Sequence, residues 1–169
     1  PSEILDVAVA SWRTYYPEFE IVLWDKPKIE QMMRMYYPVE FKAYTDIKPL
    51  AFKCDIARLC VLHRFGGIYS DLKQLALKRI NLSDVEYLFT HDRELVVTDD
   101  SGLVQNCFFA VPAQSAIMLK YLSRCVAHIQ NREYKECALS ITGPTVFGKT
   151  LKSCSLNTSR MRWLWFRLP

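Results

Sequence analysis

Long apolar runs are missing from this sequence. No stretch of about eighteen apolar residues occurs, so no segment reads as a membrane-spanning helix. Basic blocks are missing too. The 22 Lys and Arg are interspersed with 18 Asp and Glu, and the net charge of +4 comes without a cationic run. That excludes a nucleic-acid surface of the usual kind and leaves anionic small molecules or a membrane surface as partners. Six cysteines are present without a CxxC pair, which argues against a structural zinc site. Cys54 and Cys60 share one expected helix but point in different directions, and most of the thiols read as buried. There is no P-loop, no GxGxxG, no internal repeat and no low-complexity linker. His63 and His91 have no Ser or Cys partner at a nucleophile signature, so they read as structural or solvated.

What remains is globular. Of 169 residues, 50% are hydrophobic and 24% charged, enough for one domain with a core. The 13% of aromatic residues suits a core first and a sugar or nucleotide site second. Periodicity predicts a helix over 3–15, with Ile4, Val7, Ala8, Ser11, Trp12 and Tyr15 on its apolar face, then a strand over 19–24 closed by Asp25. "KPKIEQMMRMYYP" reads as a short helix ended by Pro38, and a loop runs through Thr45 and Asp46. A helix over 49–64 takes Pro49 in its first turn. Further strands are expected at "GGIYSD", 95–99 and 103–112, with helices over 113–130 and from the "TGPT" turn through Leu151. Helices and strands in alternation imply an α/β fold whose sheet is mostly parallel, flanked by helices, with ligands at the C-terminal strand ends. Asp25, Asp71 and Asp99 fall at such ends, although each also suits a turn.

The stretch "KCDIARLCVLHRFGGIYSDLKQ" carries the chemistry. Asp55 and Arg58 are three apart and share one helix face. They make either a surface ion pair worth under about 1 kcal/mol or a ligand pair, with a carboxylate to accept from hydroxyls and a guanidinium fork to donate. Gly66 and Gly67 allow a sharp turn, a close approach of backbone to a ligand, or both. Tyr69 faces either the site or the core. The strand then ends on Asp71, and Lys73 follows two residues later.

These residues resemble the glycosyltransferases whose sugar-binding region contains a DxD motif. Among them are fungal initiating mannosyltransferases, sphingolipid mannosyltransferases, bacterial capsule and lipo-oligosaccharide transferases and clostridial toxin glucosyltransferase domains. Asp55, Arg58, Leu62, Gly66, Gly67, Ile68, Tyr69 and Asp71 stand where the family pattern has them. "SWRTYYPEFEIVLWD", "NCFFAVPAQSAIM" and "ITGPTVFGKTL" resemble other family blocks, in the family's order. The resemblance implies a GT-A-type domain over 1–152, incomplete at its first strand, and an unassigned tail over 153–169. It implies transfer of a hexose from a nucleotide-diphosphate sugar to a carbohydrate or lipid-linked hydroxyl, with retention. Asp55, Arg58, Gly66, Gly67, Tyr69 and Asp71 would bind the donor, Asp71 would hold Mn²⁺ or Mg²⁺, and Asp71 and Lys73 would be catalytic.

Lys73 replaces the second Asp of the DxD pair. A charged lysine does not ligate a divalent ion, so the demand for metal is expected to be weak. Either Lys73 pairs with the diphosphate, or Asp71 holds the ion alone, or the chain is an inactive binding remnant. The family's metal-site group near the C-terminus has no counterpart histidine, since His128 is the last one. The tail "RMRWLWFRLP" interleaves Arg with Trp, Phe and Leu. It is expected to be dispensable for the sheet, and it packs on the core or rests on a membrane surface. The setting implied is cytoplasmic or peripheral membrane in a bacterium, and the Golgi lumen in a eukaryote.

Overall fold

A computed structural model of the chain describes residues 3–91, 104–133, 138–155 and 158–165. Helix α1 is Glu3–Tyr15, α2 Lys26–Tyr36, α3 Pro38–Asp46 and α4 Leu50–Phe65. Strands β1 (Gly67–Ser70), β2 (Tyr87–His91) and β3 (Phe108–Val111) follow, then α5 (Ala116–Gln130), α6 (Pro144–Lys152) and β4 (Met161–Trp165). Asp25 caps α2 by accepting the Lys28 N–H at 2.9 Å. Its place is therefore a helix start, which is where an Asp side chain satisfies an orphan amide. Pro38 does not merely stop α2. It occupies the first turn of α3, where a proline has no amide to lose, so the expected loop through Thr45 and Asp46 is helical.

The sheet order is β1-β3-β2-β4. β3 pairs antiparallel with both β1 and β2, from Gly67 opposite Val111 to Ser70 opposite Phe108 and with Leu88 opposite Ala110. β2 pairs in parallel with β4. The sheet is thus mixed, and the expectation of a mostly parallel sheet is corrected. No helix joins β1 to β2 among the described residues; the two run in the same direction with β3 between them, antiparallel to each. Residues 19–24 belong to no ladder, and the expected strand over 95–99, with Asp99, lies outside the described residues. The tail supplies β4, so it is part of the sheet and not an appendage to it.

Alternation along β3 divides the two faces of the sheet. Phe108 stacks on Trp12 of α1 at 5.7 Å, whereas Phe109 points into the main core. There Phe147 of α6 lies flat on Tyr121 of α5 at 4.8 Å and meets Phe89 and Phe109 at 5.4 Å each. Ile56, Leu59, Cys60 and Leu62 of α4 pack against Ile117, Met118, Leu122 and Cys125 of α5 in the same cluster. The α1 face is only partly covered: Ala8 is buried, but Ile4 and Val7 are exposed. Among the described residues no helix is long and apolar enough to cross a membrane.

Candidate active site

The turn between α4 and β1 builds the site. Gly66 ends the helix at φ +67°, and a Cβ there would lie 2.4 Å from the Ala113 nitrogen. Only glycine fits both demands. Gly67, at φ +97°, has open space around its Cα, so its requirement is conformational alone. The close neighbour of Gly66 is the chain after β3, so its smallness serves packing at this turn. Through it the helix folds back along the strand, and Asp55 and Arg58 come to lie beside the residue that follows β1.

Arg58 joins the two carboxylates. Its Nη2 is 3.2 Å from Asp55 Oδ1 and its Nη1 is 3.4 Å from Asp71 Oδ1. Nη1 also donates to the Asn106 carbonyl, and Nε donates to the Cys54 carbonyl at 3.3 Å. The guanidinium lies over the Tyr69 ring, 4.8 Å from its centroid. Tyr69 in turn donates its hydroxyl to Asp71 Oδ1 at 2.7 Å and rests against Phe109 at 5.7 Å. The tyrosine therefore faces site and core at once. The Arg58 side chain is 9% exposed and that of Asp71 44%, so Asp71 is the carboxylate open to a ligand.

Asp55 is fully engaged by the protein. Asn106 Nδ2 donates to Oδ1 at 3.0 Å and Thr142 Oγ1 donates to Oδ2 at 2.7 Å. Burial pushes its carboxyl above the ordinary range, while Arg58, Thr142 and Asn106 pull it back. Thr142 precedes Gly143, the residue that caps α6, so the Asp55 charge also sits near a helix N-terminus, which favours the anion. Burial works against the Arg58 charge, but Tyr69, Asp55 and Asp71 more than offset it. Burial also raises the Tyr69 hydroxyl, which stays a donor.

Asn106 and Thr142 are absent from the residues singled out in the sequence. Each heads a block, "NCFFAVP" and "TGPT", that the resemblance had picked out, and that was the available signal. The backbone ties the rim together: the Asp71 N–H donates to the Cys107 carbonyl and the Gln74 N–H to the Asp71 carbonyl, both at 3.0 Å. The second bond closes a turn whose tip carries Lys73. Lys73 is exposed and has no hydrogen bond or ion pair among the described residues.

Among the described residues the donor set does not fit a protein-held divalent cation. Such an ion wants several hard oxygen ligands. Asp71 offers one free oxygen, Asp55 offers none, and position 73 is a cation. Among the described residues no three of His, Cys, Asp and Glu cluster closely enough to hold a metal. A cavity of about 470 Å³ lined by Glu86, Ile117, Lys120 and Cys154 includes none of the residues around Arg58.

Residues 2–101 match the sequence profile of the family described as "Glycosyltransferase sugar-binding region containing DXD motif". A solved structure, "PaToxG Glycosyltransferase", superposes with a TM-score of 0.65 at 20% identity over 90% of this chain. The likeness is one of fold, and this chain spans 63% of that protein's length. No protein with a curated description matches.

Proposed function

The chain belongs to the glycosyltransferase family with a DXD-containing sugar-binding region, and on that premise we propose that it transfers a hexose from a nucleotide-diphosphate sugar to a hydroxyl of a carbohydrate or lipid-linked acceptor. The observation that carries the reading is Arg58, held between Asp55 and Asp71 over Tyr69 at the end of β1. A guanidinium fixed on both sides holds the Asp71 carboxylate in one place, so its open oxygen is preorganised to meet sugar hydroxyls.

In this reading the roles divide by exposure. Asp71 meets the donor with its open oxygen. Arg58 lies behind it, and Asp55 holds Arg58 with the help of Asn106 and Thr142. Tyr69 fixes the Asp71 carboxylate so that one oxygen is committed and the other is free. Gly66 and Gly67 set the turn that brings helix and strand together. The bond from the anomeric carbon to the diphosphate breaks, the acceptor oxygen bonds to that carbon, and the acceptor proton passes to the departing diphosphate oxygen. Transfer is proposed to retain the anomeric configuration. Such a reaction asks for stabilised leaving charge and a placed acceptor.

One substitution favours a second reading. Lys73 stands where a family metal ligand would be, which suits a chain that binds the donor without turning it over. Incubation with a panel of nucleotide sugars, with and without Mn²⁺, followed by assay for nucleoside diphosphate, separates the two. Release of diphosphate supports the transferase. Donor binding without release supports the binding remnant, and no binding at all contradicts both.

A further inference from the structure

We propose that Lys73 supplies to the donor diphosphate the positive charge that a carboxylate-held divalent cation would otherwise bring, so that this chain binds its donor without metal. The proposal rests on the glycosyltransferase reading and concerns how its leaving group is held.

Charge balance is the first argument. Exchanging a carboxylate for an ammonium changes the local charge by two units, which is the charge of one divalent ion. With Lys73 the cluster is formally neutral: Asp55 and Asp71 stand against Arg58 and Lys73. A second carboxylate at position 73 would instead leave a net negative cluster, which an anionic diphosphate could approach only with a cation. The balance that such a site takes from an ion is here written into the chain.

The second argument is which ligands are left. Both oxygens of Asp55 accept hydrogen bonds from Asn106 and Thr142, and Asp71 Oδ1 is taken by Arg58 and Tyr69. One carboxylate oxygen is a poor start for a divalent ion, and a nearby ammonium repels one.

The third argument is availability. Lys73 sits at the tip of the turn closed by Gln74 on Asp71, exposed and unpaired among the described residues. Its backbone is fixed next to Asp71 while its four-carbon stem is free to place the ammonium. Lysine acts as a point charge without a fork to orient, so it neutralises a diphosphate and does not impose the bridging geometry of a metal.

Calorimetry with UDP, GDP, ADP, CDP and dTDP as probes tests this, in chelator and in Mn²⁺. The proteins compared are the unaltered chain, Lys73→Ala, Lys73→Arg and Lys73→Asp. The expected result is that a diphosphate bound by the unaltered chain binds equally well in chelator. Lys73→Ala should weaken it about tenfold, the scale of a charge-assisted contact. Lys73→Arg should keep most of the affinity, and Lys73→Asp should bind only with Mn²⁺. Because Lys73 is exposed, these variants should fold as the parent does. Binding that vanishes in chelator overturns the proposal alone and points to a metal site that includes Asp71. Unchanged affinity in Lys73→Ala also overturns it alone. Binding of no diphosphate under either condition overturns it together with the transferase reading.

Discussion

Thr142 Oγ1 donates to Asp55 Oδ2 at 2.7 Å across 87 residues of sequence, in a buried setting. The bond joins the start of α6 to the face of α4 that holds Arg58. Thr142→Val keeps the shape and removes the donor, leaving a buried carboxylate oxygen unpaired. The expected loss is about 1–3 kcal/mol in urea unfolding, together with weaker donor binding. Thr142→Ser should restore most of both. A full-strength Thr142→Val protein would show that Asp55 does not depend on this bond.

The two glycines of the turn should respond differently. Gly66→Ala combines a positive φ with a Cβ 2.4 Å from backbone, whereas Gly67→Ala meets only the φ. Strain at φ alone costs about 1–3 kcal/mol, and a forced overlap about as much again. Urea midpoints should therefore fall further for Gly66→Ala. Equal midpoints would mean that the Ala113 backbone yields without cost.

His63 sets a pH dependence. Its Nδ1 lies 2.6 Å from the Tyr37 hydroxyl, whose own pKa burial pushes up to about 12. Burial lowers the His63 pKa below the ordinary 6.5, with the Glu40 charge pulling weakly the other way. The unfolded chain then holds its proton to higher pH than the folded one. Stability from this source is complete above 6.5 and is lost as pH falls through that value toward the folded pKa. His91, lowered by burial as well, adds in the same direction. Denaturation between about pH 7.5 and 5, a range that brackets the ordinary histidine pKa, should show a shallower slope for His63→Gln than for the parent.

β4 makes the tail structural. It runs in register with β2 from Tyr87 opposite Met161 to His91 opposite Trp165. Removing 156–169 strips that edge, with a cost of about 1 kcal/mol per ladder hydrogen bond lost. The unfolding midpoint should drop clearly. An unchanged midpoint would assign β4 no role in holding the sheet.

Local signals are most informative where one short stretch carries the whole instruction. α4 and the turn at Gly66 were legible because helix period, double glycine and terminal Asp follow one another directly. β2 was missed because "YLFTH" is short and lacks glycine or proline punctuation. α3 was missed because Pro38 serves an ending and a beginning equally well in sequence. The apolar run at 19–24 has strand composition, but a strand exists only with a partner, and composition does not name one. The partners of Asp55 illustrate the same limit for the site: Asn106 and Thr142 are distant in sequence, and the pairing of β3 with β1 brings the first to α4 while the packing of α5 on α4 and on α6 brings the second.

The central claim is that Asp71, held by Arg58 and Tyr69 at the end of β1, meets a nucleotide-sugar donor. Calorimetric titration of the best donor from the panel into the parent, Asp71→Asn and Cys54→Ser tests it most directly. Cys54 is an exposed thiol on the same helix as Arg58 and serves as the control. The account predicts that Asp71→Asn abolishes donor binding while Cys54→Ser binds as the parent does, with all three proteins folded. Equal affinity in Asp71→Asn and the parent would contradict it.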